Sequence, residues 1–369
     1  MITLSTLSNP YQALFILLKA SIWDKDPEEK SFPNLSDSEW TEVYQLSVKQ
    51  GVMAVVFDAM VRLPETLQPP RLLKINWGLS VESIEHRYER QVAVANELSE
   101  LFWKNGIQMM VFKGLSLARH YPIPQHREFG DIDIYLFGKQ KEGDQIMLQQ
   151  GAIEEFNVAE KHSAFFYKKV PIENHKYFLG PRYYSKMRFL NQCLLERLEE
   201  NKVSTEGSEK GIVFPPTDFQ TPYIMCHLIR HFTHSVSLRL LCDWALFLKA
   251  HLGRIDFDYY QKTLTKGGQI KTADAFTALA IDWLELPKDC APLTKRNPKL
   301  EEKIAQDILY PLTLSSKDRS AQKVFIYKCK LIKARYWKYR LIYSDWWGRY
   351  IWDTILQYIC RPQNIFKAK

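Results

Sequence analysis

Asp131 and Asp133 stand two positions apart in an alternating apolar segment, which predicts a β-strand over residues 131–137. Residues two apart on a strand point to the same face, so both carboxylates lie side by side while Ile132 and Ile134 face the core. Like charges this close raise each other's pKa unless a cation neutralises them. Such oxygen ligands suit Mg²⁺, and a pair of ions can activate an attacking oxygen and stabilise a leaving pyrophosphate. The alternative is two aspartates on the solvent-exposed face of an antiparallel sheet.

A second apolar run, residues 107–112, ends at Lys113 and Gly114. It predicts a buried strand, a turn and then a short helix over 115–120. Such a turn brings backbone N–H groups to a position where a phosphate can bind. Ser116 can cap this helix or contact the phosphate, and Lys113 can neutralise a triphosphate or remain solvated at the strand end.

Arg127 lies four residues before Asp131, in the loop that leads into the predicted strand. Its planar guanidinium suits a phosphate or a carboxylate of the site. The alternative is a structural salt bridge to Glu128 or to the aspartate pair. The candidates for binding a phosphate are therefore Lys113, Gly114, Ser116 and Arg127.

The order of these elements resembles the core of the polymerase-beta-type nucleotidyltransferase superfamily: a strand, a Gly-x-Ser turn, a helix, a loop and an Asp-x-Asp strand. More closely, Lys-Gly…Tyr-Pro…Arg-x-x-x-Asp-x-Asp-Ile between helical flanks resembles a bacterial family of uncharacterised nucleotidyltransferases. The specific similarity covers residues 111–137, and a weaker similarity covers 40–251. The superfamily's usual Gly-Gly or Gly-Ser pair is here Gly114-Leu115-Ser116, which displaces the second small residue by one position.

The resemblance implies Mg²⁺-dependent transfer of a nucleoside monophosphate from an NTP to an acceptor, with release of pyrophosphate. It also implies a third carboxylate on a later strand. Glu173, in the extended stretch 170–175, is the best match, and His175 lies two positions further on the same face. Asp131, Asp133 and Glu173 are then the expected catalytic and metal-binding residues.

Alternatives remain open for both the site and the activity. Pro171 cannot donate a hydrogen bond to a neighbouring strand, so it belongs on an edge strand or at a bulge. The alternative is that Glu173 lies in a surface loop, and the site would then have only two carboxylates. The chain is either an active enzyme or a catalytically silent nucleotide-binding or interaction protein on the same scaffold. No motif identifies the acceptor, which could be a small molecule, a protein or RNA.

The segments around these residues are mostly helical. Ser36 and Glu39 form an N-capping pattern, and residues 72–102 predict one long helix. Residues 164–170 and 172–177 predict strands, and the remainder of the chain is helical. We therefore expect an α+β protein whose small mixed β-sheet is flanked by helices, with an N-terminal helical region over 1–102, a nucleotidyltransferase core over 103–182 and a C-terminal helical domain over 183–369.

The composition describes a folded protein with a moderate positive charge. Apolar residues make up 46% and aromatic residues 13% of the 369 residues, which excludes an intrinsically disordered chain. Lys plus Arg number 50 against 42 Asp plus Glu, and the net charge of +8 favours anionic partners such as nucleotides. Six scattered cysteines predict reduced thiols. With no signal peptide and no apolar stretch of roughly 20 residues, we expect a bacterial cytoplasmic protein without a transmembrane segment.

Two further clusters have both a functional and a structural interpretation. His227, His231 and His234 share one face of a predicted helix at a spacing that could bind zinc. The preferred interpretations are a polar helix face over the nucleotide site or histidines of the core. The basic and aromatic stretch over 323–347 could bind nucleic acid or an anionic membrane, although an amphipathic helix with its aromatics in the core is preferred. In the C-terminal helices we expect a structural pair between Arg239 and Asp243.

Overall fold

The computed structural model describes residues 2–155, 162–180, 184–200, 211–312 and 321–343. These ranges contain thirteen α-helices and one five-stranded mixed β-sheet, which confirms the predicted α+β fold. No helix within the described ranges combines the length and the apolar character that crossing a bilayer requires.

Four helices precede the sheet: α1 (Asn9–Ile22), α2 (Asp37–Lys49), α3 (Met53–Met60) and α4 (Arg71–Lys104). Helix α2 begins with the predicted capping box, because the Ser36 hydroxyl accepts from the Glu39 N–H and the Glu39 carboxylate accepts from the Ser36 N–H. Helix α4 is the predicted long helix. Its first half packs Trp77 against the N-terminal helices, and its second half places Phe102 beneath the sheet.

The sheet has the strand order β1-β2-β5-β4-β3. Its strands are β1 (Met110–Phe112), β2 (Ile132–Tyr135), β3 (Ile153–Glu154), β4 (His162–Tyr167) and β5 (Val170–His175). Strands β2 and β5 run parallel, and the other neighbouring pairs are antiparallel. The expectation of an edge strand at Pro171 or a surface loop at Glu173 is wrong, because β5 is an interior strand. Pro171 is tolerated there because pairing with β2 begins only at Ile172.

Strands β4 and β5 form a hairpin whose two turn residues are Lys168 and Lys169, with φ values of 49° and 66°. Two positive φ angles match a type I′ turn, which favours Asn and Gly. Lys168 also anchors the turn to α4, since its Nζ lies 2.6 Å from a carboxylate oxygen of Glu97. The strands expected at 164–170 and 172–177 start two residues too late, because neither Asn nor Gly marks this turn.

The sheet separates two cores. On one face, aliphatic side chains pack against α4 and against α6 (Gln140–Gln149), namely Val111, Ile132, Ile134 and Ile172. On the other face, Phe112 and Tyr135 join a larger core that the N- and C-terminal helices form. The side chains of Asp133, Glu173 and His175 alternate with the aliphatic ones, so they lie on the second face, beneath the helices.

Six further helices follow the sheet: α7 (Ser185–Glu200), α8 (Thr217–Phe232), α9 (Leu238–Ala250), α10 (Phe257–Lys266), α11 (Ile270–Leu284) and α12 (Pro298–Leu309). They pack directly on the N-terminal helices. The Tyr11 hydroxyl donates to the Leu309 carbonyl at 2.7 Å, and the Trp23 indole donates to the Leu284 carbonyl at 2.5 Å. The two ends of the described chain therefore share one core.

The last described helix, α13 (Ala321–Ile342), carries the basic and aromatic stretch. Tyr339 and Tyr343 are buried in the larger core, and Lys338 is buried beside Asp307 with Nζ 2.5 Å from a carboxylate oxygen. Other cationic side chains of this helix are exposed, including Lys323, Lys330, Lys333 and Arg340. This placement supports the interpretation as an amphipathic helix. The side chain of Phe325 and the Trp346-Trp347 pair lie outside the described residues.

Candidate active site

The register between β2 and β5 brings the three predicted carboxylates together. Asp133 lies directly opposite Glu173 in this parallel pair, and Asp131 immediately precedes β2. One carboxylate oxygen from each of Asp131, Asp133 and Glu173 lies within 4.8 Å of the others. The structure thus assembles the acidic group that the sequence pattern predicts, and its catalytic role stays a prediction. We call these three residues the carboxylate cluster.

Lys113 enters the carboxylate cluster from the turn that follows β1. Its ammonium group pairs with Asp133, and its Nζ lies 4.0 Å from Glu173 Oε2. The backbone of Lys113 has φ 59° and ψ −125°, a conformation that costs a residue other than glycine about 1–3 kcal/mol. Strain of this kind persists only where the surrounding packing imposes it, and here it accompanies a lysine directed into an acidic group.

The charges of this group determine how its carboxyls titrate. Burial, and then the neighbouring charge of Asp133, raise the pKa of Asp131 to about 6. Burial would also raise the pKa of Asp133, but the Lys113 ammonium and a hydrogen bond from His175 outweigh it and hold that pKa below its usual range. Burial disfavours the Lys113 ammonium, yet the charge of Asp133 outweighs it and raises the pKa of Lys113. Lys113 and Asp133 are therefore an ionised pair, and Asp131 protonates more readily than Asp133.

Two histidines border the carboxylate cluster. Nε2 of His175 lies 2.8 Å from Asp133 Oδ1 and 3.1 Å from Glu173 Oε2, and Nδ1 lies 3.1 Å from the Tyr177 carbonyl oxygen. His162 lies opposite His175 in β4, with Nδ1 3.3 Å from Glu173 Oε2. The alternation of β5 predicts the face on which His175 lies. Sequence reasoning missed His162, because only the hairpin register aligns it with the site.

The helix after the Lys113 turn, α5 (Gly114–Ala118), begins at Gly114, so Ser116 lies inside it and the N-cap is Lys113. The Ser116 hydroxyl is buried and accepts a hydrogen bond from Gln220 Nε2 at 3.0 Å. Gly114 packs against Phe129, whose ring would lie 2.8 Å from a Cβ at position 114. The structure gives packing reasons for both small residues, and their expected phosphate contacts stay predictions.

Arg127 forms a buried ion pair with Asp243. Its Nε and Nη2 donate to the two carboxylate oxygens at 3.0 and 2.6 Å, and the Tyr121 hydroxyl donates to the same carboxylate at 2.9 Å. The expected Arg239–Asp243 pair is wrong, because the loop before β2 packs on α9 and supplies Arg127 as the partner. Arg239 instead donates to the Glu128 carbonyl at 2.7 Å. A phosphate contact by Arg127 would require the ion pair to open, and it stays a prediction.

Helix α8 lies over the carboxylate cluster. The Tyr223 ring is 5.5 Å from that of Phe112 and 6.1 Å from that of His227, which in turn is 4.5 Å from the ring of His231. Burial, and then the charge of Lys113, lower the pKa of His227 well below its ordinary value. This supports the interpretation as a polar helix face over the site. Among the described residues, the groups that could hold a metal do not include the histidines of this helix.

Comparison with known proteins gives one match. The profile of a family described as uncharacterised nucleotidyltransferases matches residues 36–285, a span that includes the whole sheet and the carboxylate cluster. The searches of curated proteins and of solved structures found no match. Because the profile covers more than half of the 369 residues, this chain belongs to the family of uncharacterised nucleotidyltransferases.

Proposed function

We propose that this protein transfers a nucleoside monophosphate from an NTP to an acceptor, with Mg²⁺ as the cofactor and pyrophosphate as the leaving group. The observation that carries the proposal is the convergence of Asp131, Asp133 and Glu173 on one face of the sheet. We also propose that the protein belongs to the polymerase-beta-type superfamily and that its carboxylates have the roles that such carboxylates have in that superfamily.

The donor set of the carboxylate cluster fits Mg²⁺, which takes one or two carboxylates and completes its octahedron with water and substrate phosphates. When bound, the cation supplies positive charge that stabilises the triphosphate and the leaving pyrophosphate. Asp131 and Asp133 would hold the ion from one strand, and Glu173 would hold it from the next. Three carboxylates, of which Asp133 is buried and the other two are partly buried, lie beside one lysine, and a divalent cation would offset the excess of negative charge.

Glu173 is the proposed proton acceptor. Its side chain is 23% exposed, against 2% for Asp133, so an acceptor molecule can approach it. The proton of the acceptor hydroxyl would pass to the Glu173 carboxylate as the acceptor oxygen forms its bond to the α-phosphorus. The bond between that phosphorus and the oxygen leading to the β-phosphate breaks, and pyrophosphate leaves with those electrons.

Lys113 and Tyr223 are the proposed contacts for the triphosphate. If Asp133 held a cation, the Lys113 ammonium would no longer be the counter-charge of that carboxylate and would be available to bind phosphate oxygens. The Tyr223 hydroxyl is buried and has no hydrogen-bond partner in the part of the chain that the structure describes. A buried hydroxyl in this condition is unfavourable, and a phosphate oxygen or an ordered water would satisfy it.

The acceptor stays open among small molecules, proteins and RNA, because its choice depends on the helical walls of the site. A cytoplasmic location is also part of the proposal. It is supported by the thiols of the described cysteines, which are free at positions 193, 226, 242, 290 and 329.

Equilibrium binding of a labelled NTP with and without Mg²⁺ tests the donor site. The Asp131→Asn plus Asp133→Asn variant should lose the Mg²⁺-dependent part of the binding. Asp24→Asn plus Asp26→Asn is the matched control, because these aspartates have the same spacing but are 79% and 88% exposed. Equal Mg²⁺-dependent binding by the wild type and the Asp131/Asp133 variant would refute the proposal.

Pyrophosphate release across a panel of sugars, small hydroxylated molecules, proteins and RNA tests the transfer step. The proposal predicts Mg²⁺-dependent release that requires both an acceptor and the intact carboxylate cluster. Metal-dependent NTP binding without release on any member of the panel would favour the catalytically silent alternative.

A further inference from the structure

A second group of residues that could bind a metal ion lies beside the carboxylate cluster: His162, Glu173 and His175. Nitrogen atoms of the two histidines lie 3.3 and 3.1 Å from the same oxygen, Oε2 of Glu173. Ligands that bind one ion through bonds of roughly 2.0–2.1 Å are about 2.9 Å apart in an octahedron and about 3.4 Å apart in a tetrahedron. These two separations therefore already match those of ligands around a single ion.

The orientation of His175 is an independent indication. The Tyr177 carbonyl oxygen can only accept, so the contact from Nδ1 places a proton on that nitrogen and turns Nε2 toward Asp133 and Glu173. Histidines that bind metals characteristically donate their other ring N–H to a carbonyl or carboxylate in this way. Carboxylate oxygens can only accept, so Nε2 contacts Asp133 and Glu173 through a proton. A bound cation would take the place of that proton and turn Nε2 into a ligand.

We propose that His162, Glu173 and His175 form a second cation position, which prefers a borderline ion such as Zn²⁺ over Mg²⁺. Imidazole nitrogen suits Zn²⁺, whereas carboxylate oxygen suits Mg²⁺. Three protein ligands leave a further coordination position open to water or to a substrate oxygen. Because Glu173 would bridge this position and the Mg²⁺ position, the assignment rests on the proposed function.

The full chain without a histidine tag, loaded with one equivalent of Zn²⁺, provides the test. X-ray absorption at the zinc edge should show two imidazole ligands at roughly 2.0–2.1 Å. Competition with a chelating dye measures the Zn²⁺ affinity, and a large excess of Mg²⁺ should leave it unchanged. His162→Gln and His175→Gln should each weaken Zn²⁺ binding by at least about tenfold and remove one imidazole from the spectrum.

His86→Gln is the matched control, because His86 lies near Glu82 and Glu89 but is 66% exposed, and it should bind Zn²⁺ like the wild type. Zinc held through oxygen alone, while Mg²⁺-dependent NTP binding persists, would overturn this inference and leave the proposed function standing. Zinc held by two imidazoles without any Mg²⁺-dependent NTP binding would support the second position and refute the proposed function. His162→Gln decides the question where His175→Gln does not fold, because the loss of one imidazole from its spectrum assigns the zinc to this group.

Discussion

Replacing Arg127 by methionine tests whether this residue positions the loop before β2 or binds phosphate. The substitution keeps most of the side-chain length but removes the guanidinium that neutralises Asp243, which is only 2% exposed. The hydrogen bond from Tyr121 would remain, yet the carboxylate would stay buried without its counter-charge. Removing one partner of a buried ion pair costs about 3–5 kcal/mol, so we expect the free energy of unfolding to fall by that amount.

Urea unfolding at neutral pH measures this loss. Arg87→Met is the matched control, because Arg87 is 46% exposed in its pair with Glu128, and it should cost less than about 1 kcal/mol. The double variant Arg127→Met plus Asp243→Leu removes both charges and should recover most of the stability. An Arg127→Met protein that is as stable as the control but binds NTP about tenfold more weakly would refute the positioning role and assign Arg127 to phosphate.

The carboxylate cluster and the β4–β5 hairpin give three more expectations. The pKa of Asp131 is raised from 3.8 to about 6, so protonation of this carboxyl favours the folded state. The metal-free protein should therefore lose stability as pH rises from 3.8 to about 6. Urea unfolding measures this loss, and Asp131→Asn should abolish it. Lys113→Met should raise the affinity of the nucleotide-free protein for Mg²⁺ and lower its affinity for NTP, as measured by calorimetry, and weaker Mg²⁺ binding would contradict the counter-charge role. Lys169→Gly removes a side chain from a backbone with φ 66°, so it should raise the free energy of unfolding by up to about 1 kcal/mol and raise the thermal midpoint with it. A lower midpoint would count against the turn assignment.

Local sequence pattern predicts the parts of the site whose residues are close along the chain. The alternation around Asp131 and Asp133 predicts both the strand and the face on which the carboxylates lie, since a period of two is a property of any strand. The family resemblance, together with the period-two alternation of a strand, predicts Glu173 as the third carboxylate. The capping box at Ser36 and the long helix α4 follow from local signals of the same kind.

The remainder depends on tertiary contacts that no spacing rule encodes. Asp243 is 116 positions from Arg127, so nothing local indicates that they pair. Tyr223 lies over the carboxylate cluster only because α8 packs on the sheet. His162 enters the site through a hairpin whose turn residues carry no Asn or Gly signal.

In the proposed function, Asp131, Asp133 and Glu173 hold one divalent cation together with the triphosphate of an NTP. A crystal structure with Mn²⁺ and a non-hydrolysable NTP, measured at the manganese absorption edge, would locate both. We predict an anomalous peak about 2.1–2.3 Å from an oxygen of each carboxylate and from a phosphate oxygen, with Lys113 turned from Asp133 to the phosphates. Nucleotide and manganese bound elsewhere, with Lys113 still paired to Asp133, would contradict it.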